Sequence, residues 1–452
     1  MSESNSPILN QTKNLENQIA ALLLYQSVFQ HPIAQAFLQI LQSCYPNTTS
    51  QQDRLRTYGQ WFHQMASDNI SWQDFLIRQI LHNANPFSQQ SQTHSIEKLS
   101  PALIAAVKHD LQILQNLYLC DDQIISDWVQ NATQRSQQLS HLMPDQEPYQ
   151  IIPWQQSQTN CLTAQEILVK NQLLNIPQWA DAIHILAKHY QQNGIGIFAE
   201  SIAFAWRNQK LVNISHADPI RIDDLTGYEY QKQQLIKNTE FLLAGYPALH
   251  VLLYGSRGSG KSSLVKALLN EYYDQGLRLI EVNKNDLQYL ALIVDQLRNS
   301  PQKFIIFVDD LSFEADDEAF KSLKVVLEGG VTARPANIVV YATSNRYHLI
   351  REYFSDRPRP QDSDEVHHWD TVQEKLSFSD RFGLTLTFTP ADQDIYLEIV
   401  RHLAQIAKIN INVSDLEYQA LQWATRHNGR SGRTARQFID FLKADLALHP
   451  GK

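Results

Sequence analysis

Two kinds of hydrophobic pattern divide the chain. Up to about residue 215, apolar residues recur at helical spacing, first as Leu15, Ile19, Leu22 and Leu23, then as Phe29, Ile33, Phe37, Ile40 and Leu41. Pro32 interrupts this run and predicts two helices or a kinked one. The same spacing predicts helices over residues 55–65, 72–81, 103–119, 163–174 and 180–190, with Ser71 and Asp74 marking a helix start. Polar, Gln/Ser-rich residues 88–95 predict an exposed loop, and the proline-containing residues 143–153 another. Gly194 and Gly196 break the pattern, and residues 198–206 and 211–214 flank a polar turn, as in a hairpin or a helix–turn–strand joint. Downstream the apolar residues cluster in short continuous runs at 251–254, 279–282, 304–308, 338–342 and 384–388, separated by helical stretches. That is the pattern of a parallel sheet covered on both faces.

Composition narrows the classes. A chain of 452 residues has room for two or three domains. With 43% hydrophobic and 19% charged residues it reads as an ordinary globular protein. A net charge of −9 argues against broad electrostatic attachment to nucleic acid, while leaving a local basic groove open. Cys44, Cys120 and Cys161 are scattered without metal-binding spacing, so reduced thiols in a cytoplasmic protein are expected. The first residues lack the pattern of a secretory signal, and no apolar run reaches bilayer length. Trp61, Trp72, Trp128, Trp154, Trp179 and Trp206 are read as core fillers, with a partner-binding face as the alternative.

Candidate chemistry gathers in the second half. The apolar run at 251–254 leads into Gly255, Ser256, Arg257, Gly258, Ser259, Gly260, Lys261, Ser262 and Ser263, and then into a helical pattern. A strand feeding a glycine-rich loop at a helix start lets backbone amides wrap a phosphate. Glycines at 255, 258 and 260 admit left-handed turns and close approach of phosphate oxygens. Lys261 would meet the β- and γ-phosphates and Ser262 would ligate Mg²⁺; the lysine is expected to face solvent when no nucleotide is bound. The run at 304–308 ends in Asp309 and Asp310, a costly place for two carboxylates unless they meet a cation or water. Asp309 is the candidate for Mg²⁺ and Asp310 for orienting the attacking water. Asn345 ends the next strand within reach of a γ-phosphate. Arg381 precedes the last strand, where it could enter a neighbouring subunit's site, and Arg433 opens a helix that could fold over the nucleotide. The segment 218–229, just ahead of the loop, could pack over the adenine base.

In this order the motifs resemble the AAA+ superfamily over about residues 218–448. Residues 255–262 look like Walker A, 304–310 like Walker B, Asn345 like sensor 1, Arg381 like an arginine finger and Arg433 like sensor 2. More closely, residues 225–229, 255–263, 309–314 and 374–384 are similar to an uncharacterised bacterial AAA+ ATPase family catalogued as a domain of unknown function. The resemblance implies an α/β domain with a C-terminal helical lid, ATP and Mg²⁺ as ligands, and a homo-oligomeric ring or arc. One departure matters: Walker B elements of the superfamily usually end Asp-Glu, whereas Asp309 and Asp310 stand here and Glu314 follows four residues later. Glu314 is therefore an alternative catalytic residue.

The expected organisation is a mainly helical domain at 1–216, an AAA+ α/β domain at 217–391 and a helical lid at 392–452. Two functions are expected. One is an ATP-hydrolysing remodeller or loader whose unidentified protein client binds the helical domain or the central pore of the ring; a DNA-linked loading role is a less favoured variant. The other is a nucleotide-gated binding module with slow or no turnover.

Overall fold

In the computed structural model, residues 7–45, 49–139, 150–157, 161–313, 319–328, 334–345, 377–427 and 429–449 are described. They fall into two compact units, Met1–Glu200 and Ser201–Lys452.

The first unit is helical. Pro32 occupies the first turn of helix Pro32–Ser43, where its missing N–H costs nothing, and His31 caps that turn, so the interrupted pattern resolves into separate helices. Helices Gln51–Asp68, Trp72–His82, Pro101–Tyr118, Ala164–Leu174 and Ile183–Asn193 match the predicted periodic stretches. The Ser71 side chain accepts the Asp74 N–H at 3.1 Å, the helix start expected there. Trp61, Trp72, Trp128 and Trp179 are buried in one apolar core, and Phe37 stacks on Trp72 at 4.1 Å. These four tryptophans are core fillers.

Two features of this unit differ from the sequence reading. Residues 88–95 are not an exposed loop throughout: Pro86–Ser91 is a short helix capped by Asn85, and Ser88 and Ser91 are buried. The Ser88 hydroxyl donates to Asn83 O at 2.6 Å, and such internal bonds let a polar segment enter the core. Helix Asp122–Leu139 was not foreseen. Most of the loop predicted at 143–153 lies outside the described residues.

The second unit is built on a sheet of seven strands: β1 (Ala203–Arg207), β2 (Lys210–Asn213), β3 (Val251–Gly255), β4 (Leu277–Glu281), β5 (Lys303–Val308), β6 (Ile338–Ser344) and β7 (Leu384–Phe388). Their spatial order is β2-β1-β4-β5-β6-β3-β7, parallel except for the β1–β2 hairpin. Every residue of β6 and all but the first of β5 are buried, as a sheet covered on both faces requires. The predicted hairpin exists, turning through Asn208 and Gln209, both at positive φ. It does not belong with the helical unit, however. Ala203, Phe204 and Ala205 of β1 pair with Leu279, Ile280 and Glu281 of β4, so the α/β unit begins near residue 201 and not at the expected 217.

After β7, helices Gln393–Ile406, Val413–Arg426 and Gly432–Leu448 pack on their own apolar core around Tyr396, Val400, Ala420 and Phe438, the expected lid. The fold is thus a mostly parallel α/β sheet with a helical lid, preceded in the chain by a helical region. Among the described residues, no helix is long and apolar enough to cross a membrane.

Candidate functional site

The order of the sheet makes the site. β3 lies between β6 and β7, whereas its chain successor β4 lies three places away. Chain direction across the sheet reverses at β3, and in open α/β sheets ligands bind beyond the strand ends at such a point.

The loop leaving β3 is shaped by what touches it. Gly255 has φ +131°, and a Cβ there would lie 2.0 Å from the Phe388 carbonyl oxygen, so no side chain fits. Gly258 has φ +74°, and a Cβ there would lie 2.9 Å from Ser431 Oγ of the lid. The lid meets the loop directly: Arg433 N donates to Gly258 O at 3.2 Å. Helix Lys261–Tyr272 starts at the end of this loop and points its amide-rich end at the cleft.

Lys261 departs from expectation. It is 7% exposed, not solvent-facing, and Nζ donates to Gly255 O at 3.0 Å and Ser256 O at 2.7 Å. Burial pulls its pKa below the ordinary lysine value, against the opposing pull of Asp309 and Asp310. The ammonium is held by the loop's own carbonyls, so it staples the loop it belongs to.

Facing this loop, β5 ends in Asp309 and Asp310, both exposed. Ser262 Oγ donates to Asp309 Oδ1 at 2.6 Å, bringing together the two residues expected to hold Mg²⁺. Asn345, at the end of β6, donates Nδ2 to Asp310 Oδ1 at 2.7 Å. The Asp310 backbone is left-handed, with φ +51°.

These groups line one open cleft of about 660 Å³. Arg257 to Ser263, Asp309, Asp310, Asn345 and Arg433 all belong to its wall. So do Ile220, Asp224, Leu225 and Thr226, from the segment ahead of the loop, and Ile399 and Leu403 of the lid. That segment is fastened to the lid by His402 Nε2, which donates to Asp223 O at 2.7 Å.

Two predicted residues stand elsewhere. Arg381 is not part of the cleft wall; it ends the turn Ser377–Arg381 and pairs with Glu328 of helix Ala319–Glu328. Glu314 lies outside the described residues. Two polar wall residues were missed by the sequence reading. Arg436 follows Arg433 by three, the spacing that puts both on one helix face. Thr343 precedes Asn345 by two, the spacing that puts both on one side of a strand.

Over 121 residues the chain is 34% identical to the replication factor C large subunit of Staphylothermus marinus, a match covering 24% of this chain and 28% of that protein. The chain therefore spans less than a third of the length of that relative. Among solved structures, the RuvB Holliday junction branch migration motor of Thermotoga maritima matches at 16% identity and a TM-score of 0.35, covering 51% of this chain and 66% of that one. A likeness that slight has no bearing on function. The family described as "Protein of unknown function (DUF815)" matches residues 199–446, more than half of the chain and nearly all of the second unit. The chain belongs to the DUF815 family.

Proposed function

We propose that the second unit binds ATP with Mg²⁺ in this cleft and hydrolyses it, working as a ring or arc of identical chains in the bacterial cytoplasm to remodel or load a macromolecular client. The observation that carries the reading is the meeting of Ser262 Oγ with Asp309 Oδ1 at 2.6 Å at the mouth of the glycine-rich loop. A hydroxyl and a carboxylate are hard oxygen donors that suit Mg²⁺, which also keeps phosphate oxygens and water as ligands. Mg²⁺ held there would withdraw charge from the β- and γ-phosphate oxygens.

The chain's own groups then divide the work. Amides of the loop and Lys261 Nζ, swung off its carbonyls, hold the phosphates. Asp310 takes a proton from the attacking water as the water oxygen bonds to the γ-phosphorus and the bond to the bridging oxygen of ADP breaks. Asn345, already bonded to Asp310, keeps that carboxylate aimed. Arg433 neutralises charge from the lid side. Arg381 would serve a neighbouring subunit's site, which fits its position outside the cleft of its own chain. The client would engage the helical unit. The match to a replication factor C subunit admits a DNA-linked client, while the net charge of −9 disfavours broad binding to nucleic acid.

A second reading, a nucleotide-gated binding module without appreciable turnover, is favoured by Asp310. Its side chain is one methylene shorter than glutamate, and the bond from Asn345 occupies one of its oxygens.

Turnover per chain measured against protein concentration separates the two. A rate that rises with concentration supports the oligomeric ATPase; a flat, negligible rate supports the switch. Asp310→Asn should trap bound ATP without turnover, and Glu314→Gln should hydrolyse at near the parental rate. The opposite pattern would make Glu314 the base.

A further inference from the structure

We propose that Thr343 is a positioning residue of this site: its hydroxyl orients the carboxylate that would hold the metal and, at the same time, pins the backbone that aims the carboxylate facing the water. The inference rests on the nucleotide reading above and assigns a task to a residue outside the motifs that suggested it.

β6 is apolar and buried, and Thr343 is 2% exposed. Valine, of nearly the same shape, would suit such a position, and Val339 and Val340 stand in the same strand. A buried hydroxyl is costly unless bonded, so its presence needs a reason. Here it is bonded twice. Thr343 Oγ1 donates to Asp309 Oδ1, and it accepts the Asp310 N–H at 3.0 Å. The Thr343 carbonyl accepts the Leu311 N–H at 2.7 Å, closing a clamp around the turn that follows β5.

The geometry of both carboxylates depends on this clamp. Asp309 Oδ1 collects three donors: Ser262 Oγ at 2.6 Å, Asp310 N at 3.1 Å and Thr343 Oγ1. Were Ser262 to hold a metal instead, the other two donors would still fix the carboxylate. Asp310 is at φ +51°, a conformation that costs a non-glycine residue about 1 kcal/mol and persists only when its surroundings hold it. The Asp310 N–H is shared between Asp309 Oδ1 and Thr343 Oγ1, which is what holds it. Strand alternation then gives each carboxylate its own partner from β6, Thr343 for Asp309 and Asn345 for Asp310. Thr343 also pairs in register with Leu253 of β3, tying the clamp to the strand that carries the phosphate loop.

The test is calorimetric titration of the full chain with ATP, in EDTA and in Mg²⁺, together with turnover at saturating ATP, for the parent, Thr343→Val and Thr343→Ser. A metal ligand held only by weaker contacts should lose linkage before it loses nucleotide. We expect Thr343→Val to match the parent in EDTA within about twofold, to lose at least about fivefold of the affinity gained from Mg²⁺, and to turn over at least about tenfold more slowly. Thr343→Ser should restore both. Should Thr343→Val not fold, Thr343→Ala, which adds no bulk, is read in the same way. Parental Mg²⁺ linkage and turnover in the valine or alanine variant would overturn the inference. So would an equal loss of affinity in EDTA and Mg²⁺ that serine does not repair, because that marks a merely structural hydroxyl. A parent that binds no ATP under either condition would overturn the nucleotide reading itself, and the inference with it.

Discussion

Ionisable residues of the helical core and the arginines of the cleft meet opposite fates. In the helical unit, the carboxylate of Asp110 is fully buried and accepts the amides of Leu23, Leu24 and Tyr25 at 2.7–3.1 Å. Arg54, 2% exposed, donates to Ser43 O at 2.8 Å and Ala132 O at 2.9 Å. Glu166 pairs with His82 at 2.8 Å; burial pushes its carboxyl up, but the bonds from His82 and Thr163 outweigh burial and hold it at about 2. Each charge is answered from within. In the cleft of the α/β unit, Arg257, Arg433 and Arg436 are exposed, and among the described residues no hydrogen bond or ion pair holds their side chains. Buried and answered charges hold a fold, whereas convergent unanswered charges in a cavity await a ligand. Lys261 belongs to both groups: it is answered by its own loop until an anion takes it over.

The sharpest way to break this contrast is Lys261→Ala. ATP affinity should fall by roughly 100-fold or more, since a charge-assisted contact to phosphate disappears. Because the ammonium also staples residues 255 and 256, amide exchange across the loop should quicken even without nucleotide. Unchanged ATP affinity by calorimetry would contradict the phosphate assignment.

Next in size is Asp110→Ala, which leaves three amides without their acceptor in a buried setting. It should cost about 3 kcal/mol of stability in urea titrations and leave ATP affinity at the parental value. A loss of affinity without a loss of stability would mean that this charge is not merely structural.

Acid should then loosen both units. Burial pulls His189 down to about 4 and His250 down to about 3, so each folded imidazole resists a proton that the unfolded chain accepts near the ordinary value of 6.5. The stability tied to His189 is complete above pH 6.5 and is lost as pH falls toward 4. Between pH 7 and pH 5 it should amount to about 2 kcal/mol, and His189→Gln should flatten that part of the stability profile. Saturating ATP should slow acid unfolding of the α/β unit alone, and equal protection of both would blur the distinction drawn here.

The smallest expected effect belongs to Arg436→Ala, an exposed guanidinium at the cleft wall. ATP affinity should drop about three- to tenfold with no change in thermal midpoint. No change at all would make Arg436 a solvated surface residue.

Much of this site was legible because its chemistry is local in sequence. The loop at 255–263 announces itself by glycine spacing, and β5 by an apolar run that stops at two carboxylates. The five core strands were likewise visible as short apolar runs, and four of them extend one or two residues beyond the predicted limits. What stayed hidden depends on pairing at a distance. Nothing in residues 203–207 says that β1 will join β4, so the unit boundary was set too late. Ser88 read as solvent-facing because polarity alone cannot show that Asn83 and Asn85 build it a buried niche. The burial of Lys261 was missed because its partners are carbonyl groups, which every residue carries. Thr343 could have been found from its two-residue offset to Asn345, had the strand's side alternation been followed to its end.

The contrast between answered and waiting charges is tested most directly by amide hydrogen exchange of the intact chain with and without saturating Mg²⁺ and ATP. The account predicts slowed exchange at the loop amides of 256–262 and at the lid turn near 432–436, with none at the Leu23, Leu24 and Tyr25 amides already held by Asp110. Unaltered exchange across the loop at millimolar ATP would contradict it.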